Sequence, residues 1–93
     1  MDARSDEDLL RAAYADTCAF AEFYRRHVAK IEAFAARRLG HPEEVVDLVA
    51  TVFLEVLQSS HTFDPRRGRA VAWLYGVAAR QLAASAPDAS GPS

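Results

Sequence analysis

Apolar residues recur at intervals of three and four along most of this chain, and turn signals cut them into four helical segments. Ser5, with Asp8 three residues on, makes a capping-box-like start for a short helix through about Tyr14. Asp16 offers a second N-cap. From there Phe20, Tyr24, His27, Ile31, Phe34 and Arg38 recur at alternating spacings of four and three, with Phe23 and Val28 widening the stripe. This predicts a long amphipathic helix. Gly40 closes it in the C′ manner after a basic last turn, Arg37 and Arg38, which suits the helix dipole.

His41-Pro42 restarts the chain, with Pro42 where its missing N–H is harmless and Glu43 and Glu44 in the favourable first turn. The third helix runs to about Ser59. Val45, Leu48, Val49, Val52, Phe53 and Val56 form its apolar stripe, while Val46, Leu54 and Leu57 lie off it, more apolar surface than one core contact requires. That excess points to a partner; the alternative is a central helix buried on both sides by its own domain. Phe63 to Gly68 reads as a turn, and Arg69 to about Ala84 as a fourth helix with Val71, Leu74, Tyr75, Ala78 and Leu82 facing inward. Trp73, Val77, Arg80 and Ala84 share a different face. The expected architecture is all-α, a small bundle of about four helices over residues 1–84, with 85–93 a disordered tail or the start of a linker.

At 93 residues, the chain is one domain near the lower limit for an independent core. Eleven Lys and Arg stand against thirteen Asp and Glu, so no global basic charge announces nucleic acid. The distribution is less neutral than the sum. No Lys or Arg occurs from Gly40 to Thr62, where Glu43, Glu44, Asp47 and Glu55 lie, whereas Arg66, Arg67, Arg69 and Arg80 face only Asp64 in the segment that follows. One face suits a basic partner and another suits phosphates. The single Cys18 excludes an internal disulfide and, among apolar neighbours, is expected to pack as a small hydrophobe. Without a signal-peptide pattern or an apolar run long enough to span a bilayer, the chain is expected in the cytoplasm, with no membrane partner.

Catalysis finds little support in these residues. The three His are scattered, no Cys/His cluster or HExxH has metal-ligand spacing, and no Gly-rich phosphate loop follows a strand, so neither a cofactor nor a metal is expected. His27 lies on the apolar stripe as a core or boundary residue. A small helical enzyme would need convergent polar groups in a pocket, which nothing here indicates.

The stretch HTFDPRRGRAVAWLYGVAARQL, from His61 to Leu82, joins a Phe-Asp-Pro turn and an Arg cluster to a helix carrying Trp73 and Tyr75. Cations beside aromatics are the chemistry of phosphate tracking and base stacking. The ordered motifs D-L-V-x-x-V-F-L, F-D-P-x-x-G and A-W-L-Y-G-V-A make the chain, from about Asp6 to Ala84, resemble region 2 of the sigma-70 family, of the extracytoplasmic-function (ECF) type.

The resemblance implies a transcription initiation factor without covalent chemistry of its own. Its third helix would dock on core RNA polymerase, on the clamp coiled coil of the largest subunit, through Asp47, Ala50, Thr51, Leu54, Glu55 and Gln58. Phe63, Arg66, Arg67, Arg69, Trp73 and Arg80 would engage promoter DNA, melting the minus-ten element and capturing a non-template base. The family commonly has Gln and an acid at positions 50 and 51, an aromatic at 57 and Asn at 80, where this chain has Ala50, Thr51, Leu57 and Arg80. For Trp73, burial as part of the fold competes with stacking on a base. The alternative function is a protein-interaction module that binds an anti-sigma factor or a like chain and leaves DNA alone. Convergence of Arg66, Arg67, Arg69 and Arg80 on one exposed patch would fit DNA; scatter or internal pairing would fit the module.

Overall fold

The computed structural model of the protein describes residues 3–85. Helices α1 (Asp6–Ala12), α2 (Thr17–Ala36), α3 (Pro42–Ser59) and α4 (Ala70–Ser85) follow in order, with a 3₁₀ turn at Ser60–Thr62 extending α3. Among the described residues there is no strand, and no helix is long and apolar enough to cross a membrane. The bundle is all-α, as the periodicity predicts. α3 lies at its centre, packed on α2 and α4, while α1 crosses α2 and reaches the 3₁₀ turn and α4.

Local chemistry sets the helix starts. The Ser5 hydroxyl accepts from the Asp8 N–H at 3.0 Å, and Asp16 Oδ1 accepts from Cys18 and Ala19 N–H at 2.9 and 3.3 Å. Each cap satisfies donors that the helix itself cannot. α3 starts at Pro42 with no side-chain cap, so its first turn relies on the ring's fixed φ and on Glu43 and Glu44.

The core gathers Leu9 and Leu10 of α1, Phe23 and Ile31 of α2, Val52 and Val56 of α3 and Leu74 of α4, all fully buried. Burial of each such side chain contributes about 1.5–3 kcal/mol. The α2 stripe is rotated from its expected centre: Ala19, Phe23, His27, Ile31 and Ala35 face inward, while Phe20 and Phe34 are half-buried and Tyr24 is exposed. Small Ala19 and Ala35 permit close helix approach, and the larger rings close the flanks. There Tyr24 meets Phe53 edge-on at 4.9 Å and Phe34 meets Tyr75 at 5.6 Å.

Other expectations are corrected. Gly40 is not a left-handed cap: α2 ends at Ala36, and the Arg38 and Leu39 N–H groups both bond to the Ala35 carbonyl. Arg38 lies beyond the helix, donates to the Phe34 carbonyl at 3.0 Å and covers its ring at 4.0 Å from the centroid. α1 stops two residues short of Tyr14, which stays exposed. Cys18 is exposed rather than packed, because it occupies the second position of α2 on the side away from Ala19. Val77, grouped by sequence with Trp73 and Arg80, is buried beside Ala78. Ser85 completes α4, and the expected tail from residue 86 onward lies outside the described residues.

Candidate nucleic-acid and partner interfaces

The segment between α3 and α4 is fixed by three anchors. Asp64 Oδ1 accepts from the backbone N–H of Arg66 at 2.9 Å and from its Nε at 3.2 Å, while the Arg67 N–H bonds to the Asp64 carbonyl at 3.0 Å. The Arg66 side chain, then its backbone N–H, hold the Asp64 carboxyl below the usual carboxylate range. Gly68 supplies the second anchor with φ +158°, a conformation L side chains rarely adopt. The third comes from α1, where a Glu7 carboxylate oxygen accepts from the Ala70 N–H at 2.9 Å and lies 4.0 Å from Arg69 Nε.

Arg66, Arg67 and Arg69 project from this loop and are exposed. Between them and the start of α4 opens a cavity of about 350 Å³ with Phe63 and Trp73 as apolar walls and Asp64, Arg67 and Arg69 at its rim. Such a volume is at the small end of ligand pockets, about 300–1,000 Å³. Phe63 and Trp73 meet edge-on at 6.0 Å. Phe63 is 8% exposed and part of the core, so it offers no free stacking face; the half-buried Trp73 combines packing with access to the cavity.

Arg80 does not join the three loop arginines. It lies eleven residues beyond Arg69, about 16 Å along a helix axis, and its guanidinium is hydrogen-bonded to Glu55 of α3. Gln81 donates to the other Glu55 oxygen. The convergence test therefore divides: three arginines share one exposed loop, while Arg80 is paired internally, as are Arg66 with Asp64 and Arg69 with Glu7. Among the described residues Arg67 makes no ion pair.

On α3, Asp47, Ala50, Thr51, Leu54 and Gln58 are exposed along one strip, with Leu54 at 54%. Glu55 differs: its side chain is 19% exposed and its carboxylate is occupied by Arg80 and Gln81. Asp47 and Thr51 also border a cavity of about 410 Å³ between the end of α2 and the end of α4, where Arg38, Glu44 and Gln81 supply polar groups. Gln81 and Glu7 escaped sequence reasoning, and Arg38 was read only as part of the α2 stripe and its basic last turn. For Glu7 a signal existed, since Gly68-Arg69 places no Ser, Thr, Asp or Asn where α4 needs an N-cap.

Below the loop, Asp6, Glu22 and Arg26 tie α1 to α2, with Arg26 Nη1 3.1 Å from Asp6 and Nε 3.0 Å from Glu22. Buried His27 adds its Nε2 at 3.2 Å from Asp6, too poorly aligned to count as a hydrogen bond. Burial pushes the Asp6 carboxyl up, but Arg26 and His27 outweigh it and hold it below its ordinary value.

Comparison with known proteins places this arrangement. The family model "Sigma-70 region 2" matches residues 23–85. The chain is 37% identical over 82 residues to the ECF RNA polymerase sigma factor SigK of Mycobacterium tuberculosis strain H37Rv, and equally to that of Mycobacterium bovis strain BCG / Pasteur 1173P2. SigK of Mycobacterium sp. strain KMS is 30% identical over 79 residues. The alignments cover 83% of this chain but 42% and 41% of the respective relatives, so the chain spans about two fifths of their length. No solved structure matches. With α3, the arginine loop and α4 all inside the matched span, the chain belongs to the sigma-70 region 2 family.

Proposed function

We propose that this chain acts as the polymerase-binding and minus-ten-engaging domain of an ECF-type sigma factor. The strip Asp47, Ala50, Thr51, Leu54 and Gln58 docks on core RNA polymerase, at the clamp coiled coil of the largest subunit. The loop arginines follow the phosphates of the non-template strand, and the Phe63–Trp73 cavity receives an unstacked base. No bond is made or broken by the domain. The observation that carries this reading is the separation of the two surfaces: an exposed strip without a basic residue on α3, and a loop of three exposed arginines, two of which, Arg67 and Arg69, rim an aromatic-walled cavity. Glu55 and Arg80 neutralise each other, and they contribute to neither surface while paired.

Capture of core RNA polymerase by the purified chain tests the docking half. Wild type retains polymerase, and Leu54→Arg loses it by tenfold or so at an unchanged melting temperature, as for a truncated interface anchor. A folded Leu54→Arg protein with full capture moves the docking face elsewhere. Single-stranded minus-ten DNA is bound in preference to duplex, weakly because the net charge is −2, and less at higher salt. A second reading, the module that binds an anti-sigma factor or a like chain, draws on the internal pairing of Arg66, Arg69 and Arg80. Equal affinity for duplex and single strand at fixed salt contradicts the base-capture site.

A further inference from the structure

α4 begins without a local cap. Gly68 and Arg69 precede it and carry no short side-chain acceptor, and the first N–H of the helix, that of Ala70, is fully buried with its residue. A buried donor left without a partner is costly, so an acceptor has to come from elsewhere. It comes from Glu7, 63 positions earlier, whose Oε2 lies 2.9 Å from Ala70 N. The same oxygen lies 4.0 Å from Arg69 Nε, and Glu7 lines a shallow basin of about 470 Å³ with Arg66, Arg67, Gly68 and Arg69.

We infer that Glu7 is a positioning residue for the arginine loop: it caps α4 across the fold and sets the height and charge of the loop against DNA. The inference rests on the DNA reading of that loop. Two effects of opposite sign meet in one carboxylate. As an acceptor it fixes Ala70, hence the end of the loop and, through the Trp73 N–H bond to the Arg69 carbonyl at 3.1 Å, the first turn that carries the cavity wall. As an anion it draws on Arg69 and opposes any phosphate entering the basin. The half-buried position of Glu7, 26% exposed at the side chain, places it close enough to the basin for its charge to be felt there.

The two effects separate by substitution. Glu7→Gln keeps a side-chain oxygen for the Ala70 N–H and removes the charge, so binding of a single-stranded minus-ten oligonucleotide by the full chain should tighten about twofold to fivefold, with a steeper salt dependence. Glu7→Ala removes both, so the Ala70 amide should exchange about fivefold faster with solvent, the usual scale of a lost cap, and binding should weaken relative to wild type. A merely structural role would weaken both variants together. Arg66→Ala/Arg67→Ala/Arg69→Ala serves as the control. Loss of binding in that triple variant with wild-type binding in both Glu7 variants overturns the role of Glu7 alone. Wild-type binding by the triple variant overturns the DNA reading and the role of Glu7 with it. Weakening of both Glu7 variants also overturns the inference, since the charge effect would then be absent.

Discussion

On α3 the proposed docking residues hang from a continuous helix whose other side is packed by Leu48, Val52 and Val56, whereas on the loop the arginines hang from backbone held at Asp64, Gly68 and Glu7. The helix holds its strip by many redundant hydrogen bonds and a buried face. Removing one exposed side chain leaves the others in place. The loop has few anchors, each carried by a single residue, so the loss of one is expected to disturb the arginines beside it. A surface of the first kind tolerates drift in composition. The second kind tolerates change in its arginines more readily than change in its anchors.

The largest effect expected from this contrast is on function without stability. Replacing Arg66, Arg67 and Arg69 together with Ala should change unfolding free energy by only about 0.5 kcal/mol, since all three are exposed and their ion pairs are of the weak surface kind. It should nevertheless depress promoter opening by the polymerase holoenzyme and make the log–log salt slope of single-strand binding shallower by about 2. Unchanged opening by a well-folded triple variant would remove the DNA role from this loop.

A smaller and two-signed effect sharpens the comparison of loop with helix. At Gly68 and Gly76 an added Cβ meets nothing within 4 Å, so the backbone alone decides. Gly68→Ala should destabilise the protein by about 1 kcal/mol because of its φ, whereas Gly76→Ala, inside α4, should stabilise it by about 0.5–1 kcal/mol. Urea unfolding of the two variants checks the pair of signs, and a common sign would show that the loop backbone is not the constrained element described.

The smallest effect is on pH. The carboxyls of Asp64 and Asp6 are both held below the ordinary value of 3.8, so each favours the folded state at neutral pH. That contribution is fully present above the ordinary value and disappears as pH falls through the depressed one. Acid titration followed by carboxyl NMR should show both groups protonating later than a free aspartate. Arg66→Ala should return Asp64 toward the ordinary value and leave Asp6 where it is. A shift of Asp6 in that variant would mean that loop and α1–α2 network are coupled.

What the sequence made legible was local. Ser5, Asp16 and Pro42 act within three residues of themselves, and the α3 stripe reports a helix that packs on both neighbours, so the four helices and most boundaries follow from spacing alone. What escaped depends on the approach of distant segments. Ala19 and Ala35 displace larger residues from the centre of α2 because helix proximity rewards small side chains there, and Val77 is buried because α4 turns that face to the bundle. The loop arginines were readable as a cluster. Burial of Phe63 and diversion of Arg80 to Glu55 were not, and for α4 the sequence showed that a cap was missing without showing that Glu7 supplies it, because each is decided by a partner 10, 25 or 63 positions away.

The Glu55–Arg80 contact makes the loss of one partner unequal to the loss of the other. The two residues belong to separate helices, α3 and α4, yet neither can be replaced without altering what the other meets. Their burial is unequal, 19% exposed for the acid and 65% for the base. Losing Arg80 first strands the more enclosed charge with only Gln81 beside it, while losing Glu55 first releases a guanidinium that water already reaches. Removing Arg80 alone is therefore expected to cost more stability than removing Glu55 alone, so the two single variants should differ in melting temperature although they break the same contact.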